Sequence, residues 1–244
     1  MSIRRIMPRS LAGALDRLLI CRSFPLDIAA DIRGRRGRMN MFGWMFAAAL
    51  ANAVPVDNGR NWLTDQDYPA DARKRGEEGA ILFVTLISPE GRIVRCDIIQ
   101  SQLSSELNDR TCTLITARAK FRPATDETGA PAYSEWQTRI EWTLPDRRRP
   151  PATQTVTMPV DMEIQVQKLP EGAREKGVDI LVKIDTEGHV THCQGIKPDK
   201  DETKLVNVAC AQARALSLEG AKDNDGRPIP LIRSMLVAFR VPAQ

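Results

Sequence analysis

The feature that most constrains this chain is a repeat at an offset of 97 residues. Gly91 aligns with Gly188 and Cys96 aligns with Cys193 at this offset. The pattern Asp-x-x-Gly-x-Pro, which begins at Asp126, recurs 97 residues later. Self-similarity at a fixed period indicates that one structural unit occurs twice. A chain of 244 residues is long enough for two such small units.

Hydrophobic patterning predicts the same order of elements, α-β-β-α-β, in each copy. Apolar β-rich runs end at Gly-containing turns and continue into second strands, which indicates hairpins. A helix and a last strand follow, so each copy is expected to be an α+β unit with a small three-stranded antiparallel sheet packed by helices. The first copy is predicted as helix 70–75, strands 81–87 and 92–100, helix 104–119 and strand 133–144; the second as helix 171–176, strands 180–184 and 189–196, helix 201–218 and strand 230–241.

Four of the five cysteines lie in the repeat as two close pairs, and Cys21 lies near the N-terminus. An even number of cysteines in an exported chain suggests disulfides. The short spacing within each pair favours local bonds, Cys96 with Cys112 and Cys193 with Cys210, over exchange between copies. Each bond would join the second strand to the second helix. The alternative is four buried free thiols.

The N-terminal segment has the pattern of an export signal. The basic run RGRRGR at 33–38 precedes an apolar stretch at 41–51 and the small-x-small sequence Ala51-Asn52-Ala53. We therefore predict cleavage after Ala53. Two alternatives stay open: translation that begins at Met39 or Met41, and an uncleaved short anchor over residues 41–56.

Charge argues against a nucleic-acid partner. Residues 1–40 carry nine Arg against three Asp, whereas the rest of the chain has 26 basic and 28 acidic residues. A phosphate-binding face needs clustered Lys and Arg, and the run Arg147-Arg148-Arg149 beside two prolines is typical of a solvated linker.

The predicted organisation is a leader at 1–53, a short linker at 54–66, a first domain at 67–145, an Arg/Pro-containing linker at 146–162 and a second domain at 163–244.

No constellation in the sequence indicates catalysis. His189 and His192 flank Cys193, but on a strand residues 189 and 192 point to opposite faces, and Cys193 is expected to be oxidised. The first copy has no His, so a Ser-His-Asp set cannot be assembled there. There is no glycine-rich phosphate loop. We therefore expect a protein that is not an enzyme, with no catalytic residue, metal site or cofactor.

The first copy resembles the C-terminal domain of the energy transducer TonB. The resemblance rests on Tyr68-Pro69, the turn Pro89-Glu90-Gly91, the strand start Arg92-Ile93-Val94 and the run Phe121-Arg122-Pro123-Ala124. The cysteine pairs resemble those of a branch of TonB-like proteins with an internal disulfide. The second copy keeps the hairpin, the cysteines and Asp-x-x-Gly-x-Pro but lacks the other signatures. It therefore resembles a degenerate sister domain.

The resemblance implies a periplasmic protein that binds protein partners of the cell envelope, such as a TonB-dependent receptor. In TonB-like domains an extended partner segment adds to the edge of the last strand. The partner-binding residues implied here are, in the first copy, Tyr68, Pro69, Ser134, Trp136, Thr138, Ile140 and Trp142, and in the second copy Leu231, Arg233, Met235, Val237 and Phe239.

Two other functions stay open. The first is a membrane-anchored energy transducer that couples an ExbB/ExbD-type motor to outer-membrane receptors through an anchor at 41–56. Only fourteen residues separate Ala53 from Tyr68, too few to span a periplasm even when fully extended. The second is a structural or assembly protein whose two copies pair through their last strands, or that self-associates.

Overall fold

The computed structural model describes residues 49–57, 59, 61–144, 156–200 and 202–242, together with the backbone of residues 5 and 6. Within this part of the chain the fold is α+β, as expected. Two sequence regions each place a helix against a three-stranded antiparallel sheet. We refer to residues 64–144 as the first module and to residues 170–242 as the second module.

The first module contains two helices and three long strands. The short helix α1 precedes the hairpin, and α2 packs against the second strand of the hairpin. Buried Leu107, Leu114 and Ile115 form the inner face of α2, as its spacing predicts. The elements are α1 Ala70–Arg75, β1 Gly79–Ile87, β2 Ile93–Ser101, α2 Ser105–Arg118 and β3 Ser134–Trp142, with a 3-10 turn at Asp65–Asp67 and two-residue strands at Phe121–Arg122, Ala124–Thr125 and Pro131–Ala132.

The second module has the same order of hairpin, helix and last strand. A four-residue strand precedes it. The elements are β4 Met162–Gln165, a 3-10 turn at Pro170–Gly172, β5 Glu175–Ile184, β6 Val190–Gly195, α3 Glu202–Ala215 and β7 Leu231–Arg240, with two-residue strands at Ala221–Lys222 and Pro228–Ile229.

Two predictions for the second module are wrong. No helix forms at 171–176, because Glu171 and Gly172 have positive φ angles of 57° and 71° and the chain enters β5 at Glu175. In the sequence, Leu205, Val208, Ala209 and Ala213 stand at helical spacing, which predicts one common face of α3. Val208 is nevertheless 42% exposed, whereas Val206 is 7% exposed. The repeated alanines of α3 blur its apolar stripe, which explains the error in phase.

Each hairpin turn depends on a glycine. Gly91 and Gly188 have φ angles of +75° and +90°, a region in which a side chain is strained. The carbonyl oxygen of each accepts a hydrogen bond from the chain after the helix, from the N–H of Phe121 at 3.0 Å and of Leu218 at 2.9 Å. A Cβ at either glycine would overlap the carbonyl oxygen of Phe121 or Leu218. The turn therefore fixes where the chain goes after the helix.

The two modules share one sheet with the strand order β6-β5-β7-β3-β1-β2. Pairing within each module is antiparallel, and the last strands β7 and β3 meet in parallel at the pair Ile232↔Ser134. The hydrophobic clusters also cross the boundary. Leu181 and Ile232 of the second module belong to the cluster centred on the first, and Leu86 belongs to the other cluster.

The segment that precedes the first module is part of the folded body. Leu50 and Ala53 are 5% and 3% exposed, and Val54–Pro55 pairs with Phe121–Arg122. Leu50, Ala53 and Pro55 of the alternative anchor at 41–56 are therefore buried against protein in this structure. No helix in the part of the chain described here is long and apolar enough to cross a membrane.

Candidate partner-binding edge

The side chains proposed for partner binding on β3 lie in the core. Ser134, Trp136, Thr138, Ile140 and Trp142 are all buried, because alternate residues of a strand face the same side. Trp136 packs edge-on against Trp62 with ring centroids 5.4 Å apart, and Trp142 Nε1 donates to Thr111 Oγ1 at 2.9 Å. These five side chains therefore do not form a contact surface. An added strand would meet the backbone of β3.

Tyr68 and Pro69 also serve the interior of the first module. Tyr68 is 7% exposed and meets Trp142 edge-on at 5.1 Å. Its hydroxyl donates to the carbonyl oxygen of Glu77. Burial, reinforced by the nearby carboxylates of Glu78 and Glu77, raises the pKa of Tyr68 to about 12. Pro69 is half-buried at the N-cap of α1. The Tyr-Pro pair thus positions α1 and does not present a contact surface.

The proposed residues of β7 are likewise unavailable to a partner. Leu231, Met235, Val237 and Phe239 are buried in the core of the second module. Arg233 is half-buried and already paired, with its Nη2 3.0 Å from Asp161 Oδ1 and its Nη1 3.7 Å from Glu135 Oε2. Burial raises the pKa of both carboxyls, and the guanidinium of Arg233 opposes that effect.

The edges of the two last strands are partly occupied by the chain itself. The N–H of Ile232 donates to the carbonyl oxygen of Tyr133 at 2.9 Å, and Ile232↔Ser134 is the single β3–β7 register pair within the described chain. At this one position the last strands of the two modules therefore pair with each other, as the alternative interpretation of the sequence expects.

The short strand β4 closes the other half of β7. It runs parallel to β7 with register pairs from Met162↔Val237 to Gln165↔Arg240. Asp161 extends the contact, since its N–H donates to the Leu236 carbonyl oxygen at 2.9 Å and its Oδ2 accepts from the Leu236 N–H at 2.8 Å. The second module therefore already carries an added strand from the preceding linker.

The edge of β3 beyond Ser134 is less completely used. Of the described residues, the backbone of Arg5–Ile6 pairs with this strand, opposite Ile140 and Arg139. Arg139 Nη1 donates to the carbonyl oxygen of Val156 at 3.1 Å. Gln137 Nε2 and Arg139 Nε are buried atoms without a hydrogen-bond partner in the described ranges. This stretch therefore combines a strand edge with unsatisfied donors.

Sequence patterning missed β4, although its signal is present. Met162, Ile164 and Val166 alternate with Glu163, Gln165 and Gln167, and the three apolar side chains pack against the core of the second module. Strict alternation is the pattern of a half-buried strand. The predicted boundary between the Arg/Pro-containing linker and the second domain falls inside this segment, so the alternation was not recognised as one strand.

Both predicted disulfides are confirmed. Cys96 is bonded to Cys112 and Cys193 to Cys210, each with a Cα–Cα distance of 5.6 Å. Each bond joins the second strand of a hairpin to the helix above it. Cys21 lies outside the described residues.

Each of the two histidines lies beside a carboxylate. His189 Nδ1 is 3.5 Å from Asp185 Oδ2, and His192 Nδ1 is 3.6 Å from Glu127 Oε1. Cys193 is oxidised in its disulfide. Among the residues that the structure describes, no group of His, Cys, Asp and Glu could hold a metal ion.

Comparison with known proteins assigns the first module to a family. Residues 64–144 match the family described as Gram-negative bacterial TonB protein C-terminal. The match spans the 3-10 turn, both helices and all three long strands of that module. No curated protein matches the chain.

Proposed function

Because residues 64–144 are a TonB C-terminal domain, we propose that this chain is a non-enzymatic, TonB-like protein of the Gram-negative periplasm that binds protein partners. Its binding of these partners is linked to TonB-dependent transport across the cell envelope. The second module is a degenerate sister of the first, a reading supported by its matching hairpin, helix, last strand and disulfide. The family match carries the proposal.

The disulfides support the periplasmic location. Disulfides persist in oxidising compartments, among them the bacterial periplasm. Two strand-to-helix bonds at matching places in the two modules fit a chain that folds after export.

The partner binds at the edge of β3 between Gln137 and Glu141. The carbonyl oxygen of Tyr133 points away from β1, toward Ile232. Backbone groups alternate in direction along a strand, so the N–H of Gln137 points to the same outer side. The side chains of Gln137 and Arg139 on this strand carry unsatisfied donors, and Arg5–Ile6, which pairs with its edge, belongs to the predicted leader. In the processed protein an extended partner segment would replace Arg5–Ile6 by β-augmentation.

The edge of the second module is less open to that partner, since Asp161 and β4 already cover β7 from Leu236 to Arg240. The covered edge of β7 is therefore a physical reason for partner binding by the first module. A strand that is part of the same chain has a high effective concentration at its edge.

The test uses protein purified from the periplasm and a synthetic peptide with the periplasmic N-terminal segment of a TonB-dependent receptor. Gln137→Pro removes one outward N–H from β3, and Ser234→Pro removes the outward N–H at the equivalent place in β7. We expect fluorescence anisotropy to show binding to the wild type and to Ser234→Pro, and about tenfold weaker binding to Gln137→Pro. Absence of binding to the wild type, or equal loss in both variants, would contradict the proposal.

A second candidate function is a self-paired scaffold, favoured by the contact between Ile232 and Tyr133. In that case the processed protein binds no receptor peptide, and the outward amides of β3 are protected from hydrogen exchange. The motor-coupled transducer is the weaker alternative, because Leu50, Ala53 and Pro55 of its anchor are buried against protein.

A further inference from the structure

Residues 50–56 run extended along the first module. Ala51 exchanges two backbone hydrogen bonds with Thr125, at 2.9 and 3.0 Å. Val54–Pro55 pairs with Phe121–Arg122, and the N–H of Val56 donates to the carbonyl oxygen of Lys120 at 2.9 Å. The segment thus adds a strand to the irregular stretch that follows α2.

The same segment reaches the second module through Gln194 of β6. The Gln194 Oε1 atom accepts from the N–H of Leu50 at 3.0 Å, and its Nε2 donates to the carbonyl oxygen of Leu50 at 2.8 Å. One amide side chain therefore satisfies both backbone groups of Leu50, as a neighbouring strand would. Leu50 is 5% exposed, in a hydrophobic cluster that contains Leu181 and Ile232 of the second module.

We propose that residues 50–56 stay in the exported protein as a strap that fixes the two modules against each other, and that the leader is cleaved before Leu50. Cleavage after Ala53 would remove Leu50 and Ala51. The amide of Gln194 and the N–H and C=O of Thr125 would then lose their partners at half-buried positions, an unfavourable state for polar groups.

The sequence offers a processing site that keeps the strap. Ala47-Ala48-Ala49 is a small-x-small sequence that directly follows the apolar residues Met41–Phe46. Hydrolysis of the Ala49–Leu50 peptide bond by signal peptidase consumes one water. It leaves a carboxylate on Ala49 and an ammonium on Leu50, which can still donate to Gln194 Oε1.

The processing site is tested on the full-length gene, expressed in a Gram-negative host, by intact-mass spectrometry and N-terminal sequencing of the periplasmic protein. We expect Leu50 as the first residue. A chain that begins at Asn52 or Val54 would overturn both the strap and the processing site. A first residue upstream of Leu50 would overturn the processing site. The outcome is independent of receptor-peptide binding, so it does not depend on the proposed function.

The strap is tested by hydrogen exchange on the same protein. Gln194→Ala removes both hydrogen bonds to Leu50, and Gln212→Ala, on the exposed side of α3, is the matched control. We expect the Leu50–Val56 peptide to exchange about tenfold faster in Gln194→Ala than in the wild type or the control, because a locally opened segment exchanges ahead of the core. Equal exchange in all three proteins would overturn the strap.

Discussion

Asp67 shows how one buried charge ties the start of the first module to its long helix. Its side chain is 5% exposed, and its two carboxylate oxygens accept from Arg118 at 2.6 and 2.8 Å. Arg110 and Thr64 donate to the same carboxylate. The hydrogen bonds from Arg118 are the main reason that the pKa of Asp67 falls from 3.8 to about 2, and burial opposes them. The ionised form of Asp67 therefore stabilises the fold.

We predict that Asp67→Asn lowers the free energy of unfolding at pH 7 by about 2 kcal/mol, an amount limited by the solvent exposure of both guanidinium groups. The folded pKa lies below the unfolded value, so the contribution is present above pH 4 and is lost as the pH falls from 3.8 to about 2. Urea unfolding at pH 7, 4 and 2.5 would measure it.

The control for this residue is Asp71→Asn, because Asp71 pairs with Lys74 on an exposed surface, where an ion pair contributes little. We expect its stability to match that of the wild type within about 0.5 kcal/mol. If the Asp67→Asn deficit is the same at every pH, the ionised carboxylate is not its cause.

At the scale of the element, β4 is a strand without a hairpin of its own, held by β7. Its apolar side chains are only half-buried, and its ladder covers four register pairs. Its stability therefore depends on packing against the second module and not on local propensity.

We predict that Ile164→Ala releases β4 while the second module stays folded. Truncation of a half-buried Ile should cost about 1 kcal/mol, so exchange of the Ala238 and Arg240 amides, which alternation points toward β4, should rise about fivefold. The Val237 and Phe239 amides, which point toward β5, should keep their protection. Amide exchange measured by NMR tests this, with Gln165→Ala as the control. Faster exchange of all four amides would indicate that β7 itself had opened.

At the scale of the whole molecule, the shared sheet and the shared clusters make the two modules one cooperative unit. Lys183 Nζ of the second module adds an ion pair at 2.9 Å with Glu127 Oε1 of the first, and Arg95 Nη1 donates to the carbonyl oxygen of Lys222 at 3.3 Å. Loss of structure in either module therefore exposes apolar surface of the other.

We predict that the double variant Cys193→Ser/Cys210→Ser lowers the midpoint at which the first module unfolds. Removal of this short-loop disulfide should cost about 3 kcal/mol. Trp136 and Trp142 lie in the first module, and Trp62 packs against Phe121 and Trp136 of it, so tryptophan fluorescence in urea reports on that module. Cys96→Ser/Cys112→Ser should lower the midpoint directly and serves as the positive control. An unchanged tryptophan midpoint in the first variant would show that the modules unfold independently.

Much of the fold follows from local patterns. The alternation of β3, the turn glycines Gly91 and Gly188, and the helical spacing of Leu107, Leu114 and Ile115 each have a local physical cause. They predicted the long strands and both long helices with small errors at the boundaries, except for β5, which begins at Glu175 and not at residue 180. The helix at 171–176 failed because a 3-10 turn and a helical turn look alike over so few residues.

The candidate site was less predictable, because whether a strand lies at the edge or in the interior of a sheet depends on which other strands pair with it. The alternation between Ser134 and Trp142 predicts a strand without reference to the rest of the chain. Which side of that strand faces a core, and which of its edges is covered, depends on segments remote in sequence. Met162–Gln165 and Leu50–Val56 cover edges that local patterning treats as free. Their pairing energies come from contacts of long sequence separation.

By itself the sequence determined the two cysteine pairs, the order of elements in each module and the resemblance of the first module, because each depends on residues close in the chain. Only the tertiary structure decided that the two last strands meet at Ile232 and Tyr133, that β4 closes β7, and that Gln194 holds Leu50. Backbone hydrogen bonds across a sheet edge need no particular side chain, so nothing in the sequence marks which edge will be taken.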